Sequence, residues 1–214
     1  MKFTKTRFFI ITAALFTELC FTGCTSDIEL ELKKNGNVDV SFNGTAGKAF
    51  AALINTAVSG DASSPVVFDT KEIEYEMSGN GFSNVKAVSK NGTSLSVTMT
   101  DKDGKSALFT SGVISIENNK LNACLSPKEL VAFYNSTDSQ TTMFLDMLLS
   151  PVLNDELMTE EEYLELLASF YGEDIAQEIK EGTFRITLKN PDGTKVIKAI
   201  PFVKLLTLNE VIRF

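Results

Sequence analysis

Residues 82–100 carry the pattern that leaves this chain least freedom. In residues 94–100, Leu95, Val97 and Met99 alternate with Ser94, Ser96, Thr98 and Thr100, and Asn91-Gly92 joins this run to residues 82–89. Strict alternation puts apolar side chains on one face of a strand and hydroxyls on the other. Asn-Gly supplies the two positive-φ positions that a type I′ hairpin requires. A sheet with one wetted and one buried face follows, and other elements must cover the buried face.

The same period recurs at both ends of the chain. Ile28-Glu29-Leu30-Glu31-Leu32 is followed by Asn35-Gly36, read as a type I′ turn, and by Val38, Val40 and Phe42. Phe184, Ile186 and Leu188 alternate with Arg185, Thr187 and Lys189, turn at Pro191-Asp192-Gly193 and return through residues 195–200. Val113, Ile114 and Ile116, a turn at Asn118-Asn119, and residues 121–125 suggest a further pair, and residues 211–214 are expected to be pinned in the sheet.

Between these strands the period lengthens. Phe50, Leu53, Ile54 and Ala57 fall at i, i+3, i+4 and i+7 within an alanine-rich stretch, which predicts a helix. Asp69 with Glu72 predicts an N-cap for a short helix. Ser126-Pro127-Lys128-Glu129 and Thr159 with Glu162 are capping boxes, with Leu130, Val131 and Tyr134 on the buried side of the first helix; Gly172 ends the second, and Ile175 and Ile179 mark one more. Residues 201–206 suit a helical turn. Strands, helices and strands again predict an α+β fold, an antiparallel sheet built from hairpins and packed against several α-helices, as one domain over residues 28–214.

The first residues follow a different logic. Lys2, Lys5 and Arg7 precede the apolar run 8–16, and small residues then lead to a cysteine, the layout of a secretory signal. Phe21-Thr22-Gly23-Cys24 resembles a bacterial lipobox, in the relaxed form similar to that of spirochaetes. The resemblance implies a signal peptide over residues 1–23, cleavage before Cys24, and attachment of palmitate-class acyl chains to that cysteine. Cutting at Cys20 instead would put Glu18 and Leu19 where small residues are wanted. The apolar run is too short to cross about 30 Å of hydrocarbon. Residues 24–27 then form the tether, and its three extended residues after Cys24 reach only about 10 Å. The expected place is the cell envelope, lipid-anchored at the periplasmic face or the cell surface, with the membrane as a partner through the lipid.

Composition narrows the chemistry. The chain has 214 residues, net charge −8 and no histidine. The acidic balance argues against nucleic acid. Without histidine there is no ordinary neutral-pH base, no usual zinc ligand and no Ser-His or Cys-His pair. Cys124, the lone cysteine of residues 121–125, is expected to be a small buried hydrophobe. Asp155, Glu156 and Glu160-Glu161-Glu162 lack the spacing of a calcium loop and suit the first turn of a helix. Asn43-Gly44-Thr45, Asn91-Gly92-Thr93 and Asn135-Ser136-Thr137 match a glycosylation sequon but read as turns. No enzyme, cofactor or metal is expected.

Two apolar segments exceed ordinary core-building. Met143, Phe144, Met147 and Leu148 in the first, and Leu167, Phe170 and Tyr171 in the second, either pack as core or line a groove for a lipid, an apolar ligand or an envelope protein. The lipobox, the first hairpin, the Ala46-Gly47-Lys48-Ala49-Phe50 helix and the segment beginning Met158-Thr159-Glu160 together resemble a group of uncharacterised treponemal lipoproteins. More distantly, a lipobox followed at once by a tight hairpin is similar to LppM-type envelope lipoproteins, some of which are thought to contact lipids. The expected function is a non-catalytic binding module, with a ligand-free structural or scaffold lipoprotein as the alternative.

Overall fold

The computed structural model describes residues 25–45, 47–59, 68–90, 94–102, 104–135, 146, 148–154 and 156–214. Among them are strands β1 (Thr25–Leu32), β2 (Val38–Thr45), β3 (Ser83–Lys90), β4 (Ser94–Asp101), β5 (Ile114–Glu117), β6 (Lys120–Leu125), β7 (Thr183–Lys189), β8 (Lys195–Pro201) and β9 (Ile212–Arg213). The helices are α1 (Lys48–Ser59), α2 (Thr70–Gly79), α3 (Ala107–Thr110), α4 (Pro127–Asn135), α5 (Ser150–Leu153), α6 (Glu160–Tyr171), α7 (Glu173–Glu181) and α8 (Phe202–Thr207). The fold is α+β, with mostly antiparallel strands. No described helix is long and apolar enough to cross a membrane.

The strands build two sheets where the hairpin pattern suggested one. Six are ordered β3-β4-β2-β1-β7-β8 and three are ordered β5-β6-β9. β1 lies parallel to β7, Ile28 opposite Ile186 and Leu30 opposite Leu188. Alternation looks the same for a parallel or an antiparallel neighbour, so a reading confined to adjacent strands misses this pairing. The polar faces match: Arg185 donates to Asp27 Oδ1 (3.0 Å) and Lys189 to Glu29 Oε1 (2.5 Å). Such half-exposed pairs add about 0–1 kcal/mol each; their placement favours this register.

The inward side chains Leu30, Val40, Phe42, Val97, Met99, Phe184, Ile186 and Leu188 are buried in one continuous core. The other face carries hydroxyls and amides that pair across strands, Thr45 with Ser94 (3.0 Å) and Ser96 donating to Asn43 Oδ1 (2.8 Å). Asn43-Gly44 therefore lies within β2 and is not a turn. At one edge, Glu74 of α2 accepts the Ala87 N–H of β3 (2.9 Å). At the other, residues 195–199 of β8 are all exposed.

Local signals resolve as follows. Asn118 and Asn119 both have positive φ (52° and 60°), as a type I′ turn demands. Of Asn35-Gly36 only Gly36 does (87°), so the β1–β2 turn is not type I′. Asp69 accepts from Lys71 N and Glu72 N, and Thr159 with Glu162 completes a capping box. Helix α1 has no acidic residue in its first turn; Glu178 of α7 accepts Ala49 N and Phe50 N there, each at 3.0 Å. The C-terminus is pinned, Ala123 and Phe214 exchanging backbone hydrogen bonds (2.8 and 3.2 Å).

Candidate apolar cavity

Each of the two layers leaves a surface for the other to fill. The floor comes from the six-stranded sheet: Ile28 and Leu30 of β1, Phe42 of β2, Met99 of β4, and Phe184 and Ile186 of β7. Above it stand Ala107 and Leu108 of α3, Val113 and Ile114 around the start of β5, Leu125 of β6, Leu130 and Phe133 of α4, and Leu205 of α8. Met77, Asn80 and Phe82 close the side at the end of α2.

These surfaces do not meet fully. A cavity of about 120 Å³ is left between them. The gap has an identifiable origin in the chain. Its upper side is assembled from short pieces, α3 and β5 being four residues each, and α3 presents Ala107, a single methyl. Ile28 reports the consequence from below: it is inward-facing and flanked by buried Phe42 and Ile186, yet is itself only half-buried. A residue in that position keeps exposure only where the layer above is incomplete.

Among the described residues that line the space, sixteen are apolar and one, Asn80, is polar, and none is charged. Its chemistry is that of non-covalent apolar contact. Among the described residues no group of three or more His, Cys, Asp or Glu is placed to hold a metal ion. Glu162 is committed to its cap: hydrogen bonds from the Thr159 backbone and side chain hold its carboxyl below the usual range.

Of the candidate binding residues named from the sequence, the four described ones, Leu148, Leu167, Phe170 and Tyr171, do not line this cavity. Leu148 and Leu167 are core residues, 0% and 2% exposed. Phe170 is 70% exposed and Tyr171 half-buried; with Ser150, Tyr163, Leu166 and Leu167 they border a shallow surface depression. Met143, Phe144, Met147 and Cys24 lie outside the described residues, as does Asp155. Cys124 is not the buried hydrophobe expected. β6 turns Leu121, Ala123 and Leu125 inward, which leaves Cys124 half-buried on the other side, with Arg213 Nε 3.5 Å from its sulfur. The cavity residues read as ordinary core because their periodicity is that of core.

Comparison with protein-family models, with curated proteins and with solved structures finds no match for this chain.

Proposed function

We propose that this chain is a lipid-anchored protein of the bacterial cell envelope that holds the apolar part of a small ligand without acting on it chemically. The observation carrying this reading is the unfilled space of about 120 Å³ over Ile28. Protein cores pack as densely as organic crystals, so side chains that border an unfilled space lose contacts at a cost in stability. An apolar guest offsets that cost by restoring the missing contacts. The absence of histidine from the sequence and the apolar lining support binding over catalysis. The lipobox-like residues before Thr25 support the anchor.

Native mass spectrometry of the protein purified from membranes tests the ligand. A bound apolar mass on the wild type, lost when Ala107→Leu occupies the space, is expected. A clean mass on the wild type would leave the scaffold role in its place. The anchor is tested separately: Cys24→Ala should abolish fatty-acid labelling, and labelling that persists would remove the envelope assignment.

A further inference from the structure

Resting on the cavity reading above, we infer that the guest is uncharged at its buried end and carries one hydrogen-bonding group there, as an alcohol, phenol, ester or amide does, and is not a free carboxylate. Three observations meet beside one end of the cavity. Asn80, the only polar residue among the described ones that line the cavity, uses its backbone N–H for Glu76 O (3.0 Å), while its side-chain amide has no partner among the described residues. Ser106 is 0% exposed and its Oγ also lacks a partner. The two lie close together. Ser106 precedes the lining residue Ala107, and a Cβ built on Gly81, next to Asn80, would sit 3.3 Å from the Ser106 Cα.

The buried Ser106 hydroxyl without a partner is costly, while the half-buried Asn80 offers an uncommitted amide at the edge of the void. A guest offering one donor or acceptor relieves that cost. A carboxylate would need a cation, and no lysine or arginine is among the described residues that line the space, so its desolvation would go uncompensated. Size sets the scale. The volume is somewhat below the roughly 150 Å³ of an engineered cavity that binds benzene, so one ring or a few carbons of a chain fit.

Benzene, phenol and benzoate span the three cases at that size. Calorimetric titration of the whole protein in lipid nanodiscs, with Ala107→Leu and Val113→Phe as blocked references, separates site binding from partition into lipid. Phenol should bind about three- to tenfold tighter than benzene, the value of one neutral hydrogen bond, and benzoate should not rise above the blocked references. Asn80→Leu should erase the advantage of phenol and leave benzene unchanged; Ser106→Ala is the second variant should the first not fold. Benzoate binding as well as phenol, or a phenol advantage that survives both variants, would overturn this inference alone. No binding of any of the three above the blocked references would remove the cavity reading and this inference with it.

Discussion

Glu178 links two helices that lie far apart in the chain, and removing it should show how much of the fold depends on that link. Its carboxylate accepts the N–H groups of Ala49 and Phe50, both at 3.0 Å, across 129 and 128 residues of sequence. Helix α1 has no acid of its own in the first turn, so Glu178 provides both the acceptors and the negative charge that a helix N-terminus favours. Phe50, directly at this contact, is fully buried. Glu178→Ala leaves two N–H groups without that partner, and loss of an N-cap together with charge-assisted bonds costs about 2 kcal/mol. For a domain of this size that lowers Tm by roughly 4–8 °C. Glu178→Gln, which keeps an acceptor oxygen but not the charge, should lie between the two. Glu181 is on the same helix, exposed, and accepts from Gln177 (2.5 Å); Glu181→Ala should stay within about 0.5 kcal/mol of wild type. Chemical denaturation of the three variants decides the matter. A Glu178→Ala midpoint no lower than that of Glu181→Ala would refute the argument.

Other substitutions test packing and pH dependence. A Cβ at Gly182 would lie 2.2 Å from Cδ2 of the buried Phe202 ring, so Gly182→Ala should destabilise by about 1–3 kcal/mol through overpacking, read by urea titration. Ala107→Leu should instead stabilise by about 0.5–2 kcal/mol, because its methyls enter existing space, seen as a raised Tm. Glu162, Asp192 and Glu210 have lowered pKa values, through bonds from Thr159, from Thr194 and from Lys204 respectively. A depressed carboxyl stabilises the fold above its unfolded value and loses that contribution as pH falls through the folded one. The Tm should therefore fall below about pH 4, with a shallower fall in Glu162→Gln.

What could be read from the sequence was whatever is decided within four residues. Asp69 with Glu72, Thr159 with Glu162 and Asn118-Asn119 each contain both partners of their interaction, and each forms as read. The Glu178 cap and the β1–β7 pairing were out of reach because their partners are more than a hundred residues apart. A trace was present in the charges: Asp27 and Glu29 on one polar face, Arg185 and Lys189 on another, in matching order. Asn43-Gly44 shows the opposite failure, since a strong turn signal is overridden by ladder pairing with Ser96 and Leu95. The cavity was invisible for a further reason. A residue's periodicity states which way it faces, whereas a void depends on how well two layers fill the space between them.

The parallel contact of β1 and β7 also orders events in time. β1 is the first of the described strands, and its neighbour β2 can pair with one of its sides early in folding, but the other side waits for a strand 158 residues further on. Contacts of such separation form slowly. Until that strand arrives, Ile28 and Leu30 lie on a strand with one open edge, a template for pairing with other chains. Asp27, Glu29 and Glu31 alternate with those apolar residues, and like charges stacked in register repel. Before they meet their basic partners, these acids act as gatekeepers that keep unfinished copies apart.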